Sequence, residues 1–297
     1  MFGFNMTLED LVVLLSNRIP ITALQNFLDK QRESSIGYYE GEKGQSVHSV
    51  LEITSHRNHR AFFLMKSFGL KRHIPSTVLG QLAKDYFKHI RCLRKLGLGP
   101  LVKNYRLRAR LYDPRPTMSV EQLFFPFGTA RQWLESSNSV RILSSALFRN
   151  YLLPLIRDTN FGRSVDSPVF IDLSFKNFAV VPINSQTLKL YYFDFFPPRV
   201  RNKSGEIKDL GYPDIHIRPA REIEYRFFNL IGIVHNVLIK SLRDIGDSRS
   251  LQSAFIKEAS FWIDPTLSGR FGVDVMTLLE LDFVAGANRF LEEYKGE

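Results

Sequence analysis

The chain has 297 residues and a formal net charge of +10, with 44% hydrophobic and 24% charged residues. That composition excludes a disordered or low-complexity protein, and no apolar run approaches the ~18 residues that a membrane-spanning helix requires. A single cysteine, Cys92, excludes an intramolecular disulfide and a thiolate zinc cluster, and fits a reducing, cytoplasmic setting.

At the amino terminus, "TLEDLVVLLSN" opens on Thr7 as a helix cap with two acids in the first turn, and "ITALQNFLDKQRES" is a second amphipathic segment. Glu9 and Asp10 stand where a signal peptide would carry basic residues, which argues against a leader. "SIGYYEGEKGQSVHSVLEI" predicts two strands joined by a glycine-containing turn. "SHRNHR" is a further turn, and "AFFLMKSF" a third strand ending near Lys66. From Pro75 the pattern becomes helical, with Leu79, Leu82, Phe87, Ile90 and Leu93 on one apolar face and Gly97, Gly99 and Pro100 ending it.

"NYRLRARLYD" and "SVEQLFFPFG" predict two more strands, and "TARQWLESS" and "SVRILSSALFRNYLLPLIRDT" two helices. "PVFIDLSFKNFAVVPI" and "LKLYYFDFF" read as short strands around turns. A long loop rich in Pro, Gly and charge follows. Helices over "EIEYRFFNLIGIVHNVLIKSL", "SLQSAFIKEASFWI" and "MTLLELDFVAGANRFLEEY" close the chain. The order predicts an α+β protein with a small β-rich half, a connecting strand near 121–128 and a helical half, two lobes around a cleft.

Charge is unevenly placed. From Ser55 to Arg115 there are fifteen Lys or Arg against Asp85 and Asp113 alone. This stretch is either a solvated helix face with a basic loop or a surface for an anionic partner such as a protein. No RRM, KH or helix-turn-helix signature is present, which argues against nucleic acid. The seven histidines show no HExxH spacing, and His56 and His59 read as part of a polar turn.

Asp172 and Asp194 each interrupt an apolar run. A buried, unpaired carboxylate is costly, so each either sits solvated at a strand end or faces a cation. "DLSFKN" has an Asp and an Asn five residues apart, and "DFF" follows the next strand. These segments resemble the D-x-x-x-x-N catalytic loop and the D-F-G metal motif of the protein-kinase-like superfamily, closest in style to its aminoglycoside-phosphotransferase branch. The resemblance extends over roughly residues 36–200: Lys66 ends a third strand, Asp85 lies on the next helix, and "LFFPFGTARQWLES" resembles the inter-lobe hinge.

The resemblance implies a bilobal kinase-like fold: a helical extension over 1–35, a sheet-bearing lobe over 36–126, and a larger, mainly helical lobe over 127–297. It implies a transfer of phosphate from ATP, with Mg2+, to a hydroxyl of a small molecule, natural product or peptide. Asp172 would be the catalytic base, and Asn177 and Asp194 the metal ligands. Lys66 and Asp85, the turn glycines Gly41 and Gly44, and the hinge residues Phe125 and Phe127 would bind the nucleotide. A basic loop containing Arg199 and Arg201 would favour an acceptor bearing negative charge.

The departures are specific. Phe170 replaces the family's His before the Asp, Ser174 stands where protein kinases place Lys, and Phe196 replaces the Gly of D-F-G, with Pro197 and Pro198 behind it. No A-P-E-like segment follows. The alternative is a kinase-fold protein that has lost transfer and acts as a binding or regulatory subunit.

Overall fold

The computed structural model describes residues 46–54, 60–68, 74–102, 104–112, 114, 116–123, 129–158, 167–184, 187–194, 199–201, 207 and 220–292. The two amphipathic segments predicted before residue 36, and Gly41, Gly44, Phe125 and Phe127, lie outside them. The fold is α+β, with two antiparallel sheets among the described residues. The chain divides into two compact units, one of Met1–Ala83 with Val102–Pro126 and one of Lys84–Leu101 with Phe127–Glu297.

The first unit carries a four-stranded sheet. Its strands are β1 (Ser46–Thr54), β2 (Arg60–Phe68), β3 (Asn104–Arg110) and β4 (Thr117–Leu123), in the order β1-β2-β4-β3. Central β2 places Lys66 opposite His48 on β1 and Val120 on β4, and continues two residues past Lys66 to Phe68. Met118 and Val120 are buried, whereas Arg108 and Arg110 on edge strand β3 are exposed. Charge on an edge strand discourages further pairing.

Helix α1 (Ser76–Lys95) follows β2. It ends in a tight cap: Gly97 takes φ +71° and Leu98 N donates to Leu93 O at 3.1 Å. The expected face is nearly right. Leu79, Leu82, Ile90 and Leu93 are buried, but Phe87 is 53% exposed and its neighbour Tyr86 is buried in its place. Asp85 and His89 are buried too, so the face turned inward carries polar groups as well as leucines.

In the second unit "TARQWLESS" forms only a 3-10 turn, Ala130–Trp133, whose Thr129 N donates to Gln132 Oε1 at 2.8 Å. Ser136 caps the helix that follows, accepting from Ser139 N at 3.2 Å. That helix is α2 (Ser137–Leu147), a π-turn over Phe148–Leu152, and α3 (Leu153–Arg157). Pro154 has no N–H to continue the α-ladder, and the widened turn lies directly before it. A hairpin, β5 (Phe178–Asn184) and β6 (Thr187–Tyr192), comes next.

The predicted single helix over 222–242 is two, α4 (Ala220–Phe228) and α5 (Leu230–Ile245). Asn229 leaves helical geometry and caps α5, accepting from Gly232 N at 3.1 Å. Helix α6 (Arg249–Phe271) contains Pro265 and stops at Gly272, φ +63°. Asp274 caps α7 (Val275–Glu280), and Asp282 accepts from Ala285 N at the start of α8 (Phe283–Glu292), splitting another predicted helix. No described helix is long and apolar enough to cross a membrane.

Candidate functional site

The segment "FIDLSFKN" is held by alternation. Ile171, Leu173 and Phe175 are fully buried, and Phe175 meets Phe255 of α6 edge-on at 6.1 Å. Phe170 stacks on Phe227 of α4 at 4.3 Å. The backbone is anchored from three directions: Ile171 N donates to Phe227 O at 2.9 Å, Phe170 N to Arg199 O at 3.0 Å, and His89 Nε2–H of α1 to Phe170 O at 2.8 Å. The intervening Asp172 and Ser174 are buried as well, and only Lys176 of the segment is exposed.

A 3-10 turn over Phe175–Asn177 then folds the segment back. Asn177 N donates to Ser174 O at 2.9 Å, and its side-chain Nδ2 donates to the main-chain oxygen of Asp172 at 2.9 Å. The amide oxygen of Asn177 is left as its acceptor. The hairpin register, Phe178 opposite Tyr192, extends one step further through Phe193 N donating to Asn177 O at 3.1 Å. Asp194 is therefore delivered beside the Asp172–Asn177 turn, as its next residue on the returning strand.

Tyr192 lies close to both acidic residues. Its buried hydroxyl donates to Asp194 O at 2.8 Å, and it lies within electrostatic reach of both carboxylates. Burial first, then Asp194 and Asp172, push this phenol well above its ordinary range, so it remains a neutral donor. Below it the Tyr151 hydroxyl lies 2.7 Å from Pro100 O and 2.8 Å from Leu190 O, fixing β6.

The Asp172 side chain is buried, and its Oδ2 receives Lys240 Nζ of α5 at 2.6 Å. Its Oδ1 is buried without a hydrogen-bond partner. Burial pulls the Lys240 ammonium below the usual lysine range, and Asp172 opposes that shift. Farther along α5, Asp244 pairs with Arg131 at 3.5 Å. Burial raises the Asp244 carboxyl, against the pull of Arg131, Arg243, Lys176 and Lys240. Lys176 and Arg243 are exposed.

His89 is a further titratable group at the segment. Burial lowers its imidazole to about 4, so it is neutral at pH 7, with the proton on the Nε2 that faces Phe170 O. Its Nδ1 is buried and unpartnered.

The remaining predicted residues stand as follows. Lys66 is on β2, and Asp85 is buried on α1. Arg199 has its guanidinium 4.9 Å from the Phe170 ring centre. Arg201 is committed to the framework: NH1 and NH2 reach Glu224 Oε1 at 3.1 Å, Nε reaches Ser167 O at 3.3 Å, and the guanidinium covers Phe228. In the basic stretch, Lys84, Lys88, Arg91, Arg94 and Lys95 are exposed along α1.

Lys240 is the partner that sequence reasoning missed. A signal was present. On a helix buried nearly all round, Asn236, Lys240 and Asp244 are spaced by four and form one polar stripe. Each has a partner outside the helix: Arg226, Asp172 and Arg131 respectively.

Among the described residues no group of three or more His, Cys, Asp or Glu side chains could hold a metal ion. The donor set suits a hard cation that takes one or two protein oxygens and completes its shell with phosphate and water. Asn177, whose Nδ2 turns to Asp172 O, and Asp194 are oxygen donors of that kind. Neither the comparison with family models nor that with curated proteins finds a match to the chain.

Proposed function

We propose that the chain is an ATP-dependent phosphotransferase with a bilobal protein-kinase-like fold, acting in the cytoplasm on a hydroxyl of a small molecule, natural product or peptide. The observation that supports this reading best is the turn in which Asn177 holds the Asp172 backbone while the hairpin brings Asp194 alongside. In the reaction, the acceptor oxygen bonds to the γ-phosphorus of ATP as the bond to the β,γ-bridging oxygen breaks and ADP leaves. Asp172 accepts the hydroxyl proton. Asn177 and Asp194 would hold Mg2+, which neutralises phosphate charge when bound. Lys66, Asp85, Gly41, Gly44, Phe125 and Phe127 belong to the proposal as its nucleotide contacts. Exposed Lys176 and Arg243, both within electrostatic reach of Lys240, favour an acceptor carrying negative charge.

One observation favours the second reading, a kinase-fold protein that binds without transferring: Asp172 is only 7% exposed. Calorimetry of the full chain with Mg-ATP, followed by an acceptor screen, separates the two. Asp194→Asn is expected to abolish metal-dependent nucleotide binding. Asp172→Asn is expected to retain it and lower transfer by about 10²–10⁴-fold. An Asp194→Asn protein that binds Mg-ATP like wild type overturns the site assignment. A wild type that binds but phosphorylates no acceptor leaves the second reading.

A further inference from the structure

We propose that Lys240 is the positioning residue of Asp172: its ammonium holds Oδ2, fixing the carboxylate so that Oδ1 is the oxygen left to accept a proton. The inference rests on the phosphotransferase reading above, and assigns a role to a residue outside the D-x-x-x-x-N segment.

The pair links two elements 68 residues apart in sequence, at 2.6 Å, with both side chains about nine-tenths buried. A purely structural buried ion pair is stable when every lone pair is satisfied, because each unmet acceptor carries its full desolvation cost. This pair is not satisfied. Oδ1 of Asp172 has no partner, and neither has the nearby-in-sequence Ser174 Oγ or Ser241 Oγ beside Lys240. An unmet, oriented carboxylate oxygen is the state expected of a group whose hydrogen bond comes from a bound molecule.

The charges around Lys240 make it depend on Asp172. Lys176 from the 3-10 turn and Arg243 on α5 itself repel the ammonium, as burial does. Asp172 holds its proton on, and the Phe227 ring of α4 lies 4.9 Å from Nζ. Asp244, one turn along, is already turned to Arg131. Asp172 thus keeps the buried Lys240 charged. The ammonium is lost at a lower pH than an exposed lysine would lose it, and with it the fixed carboxylate.

The test compares wild type, Lys240→Arg and Lys240→Met as full chains. Phosphate release from Mg-ATP, with water as the acceptor, is followed from pH 6 to 10, and crystal structures are determined for wild type and Lys240→Met. Lys240→Met is expected to lower release by about 10²-fold or more. Lys240→Arg should keep activity within about tenfold of wild type. It should also carry that activity about one pH unit or more further into alkali, because a guanidinium does not titrate there. In the Lys240→Met crystal the Asp172 carboxylate is expected to leave its wild-type rotamer. The proposal is overturned if Lys240→Arg and wild type lose activity at the same alkaline pH, or if Asp172 keeps its rotamer without Lys240. Should Lys240→Met fail to fold, the Lys240→Arg profile decides alone. A wild type that binds no Mg-ATP sinks the phosphotransferase reading, and the rotamer of Asp172 then decides the positioning claim.

Discussion

Asn177 Nδ2 donates to the main-chain oxygen of Asp172 at 2.9 Å, so the side chain that closes the turn also fixes the backbone of the carboxylate five residues earlier. One amide thereby has two jobs. Its nitrogen is structural, and its oxygen is the metal donor of the proposed site.

Substitution separates these jobs. Asn177→Asp keeps an oxygen donor and loses the N–H, so it is expected to retain metal-dependent Mg-ATP binding while losing about 1–3 kcal/mol of stability. Asn177→Ala is expected to lose both. Thermal melts and calorimetry read the two effects, and equal Mg-ATP affinity in wild type and Asn177→Ala would remove Asn177 from the metal site.

The Asp172–Lys240 pair predicts a non-additive cycle. Either single neutral substitution, Asp172→Asn or Lys240→Met, leaves a buried charge without its partner and is expected to cost about 3–5 kcal/mol. The double variant removes both charges and is expected to recover most of that loss. Urea unfolding measures all four corners. Additive losses would mean that the two groups do not interact in solution.

Tyr225 is crowded by two glycines. A Cβ at Gly232 would lie 1.8 Å from the Tyr225 carbonyl oxygen, whereas one at Gly286 would meet the Tyr225 hydroxyl at 2.6 Å. Backbone does not yield as a side-chain tip does, so Gly232→Ala is expected to destabilise by more than about 4 kcal/mol. Gly286→Ala should cost less and be partly relieved by Tyr225→Phe. Gly269→Ala on α6 is the control: nothing lies within 4 Å of the added methyl, and a gain of about 0.5–1 kcal/mol is expected from helix propensity. The ranking is checked by melting temperature, and a harmless Gly232→Ala would show that α4 and α5 do not pack this closely.

Acid should loosen the fold through two histidines. Burial lowers both His89 and His235 to about 4, below the value of 6.5 in an unfolded chain. Between those values the unfolded chain binds protons that the folded one does not. Stability is therefore complete above pH 6.5 and falls as pH drops toward about 4, by up to about 1.4 kcal/mol per pH unit for each histidine. His89→Gln supplies an amide donor for Phe170 O and does not titrate. It is expected to shrink the loss between pH 6.5 and 4.5 by roughly half, followed by urea unfolding at each pH. An unchanged slope would show that His89 is not the acid-sensitive group.

Much of the local structure was legible in the sequence, because it depends on near neighbours. The short apolar and aromatic runs "AFFLMKSF" and "LKLYYF" specified strands, the 3.6-residue period after Pro75 specified α1, and Gly97 ended it through a backbone conformation that suits glycine. The resemblance of "DLSFKN" to a D-x-x-x-x-N loop singled out Asp172 and Asn177, and the Asn177 side chain folds back onto the Asp172 backbone. Even the helix breaks at Asn229 and Asp282 had capping residues in plain view, although the apolar pattern running through them concealed the stop.

Only the tertiary structure decided what the carboxylate at 172 faces. A buried Asp must find a cation, but many lysines and arginines were available to it. The choice fell to Lys240 because α5 presents its polar stripe to the 172–177 turn, and that follows from packing around residues far apart in the chain. His89 reaches Phe170 O for the same reason, and Phe87 faces outward although the helical period placed it inside. Local spacing determines which groups share a turn or a face. The docking of whole elements, driven by burial of surfaces that are distant in sequence, determines which faces meet.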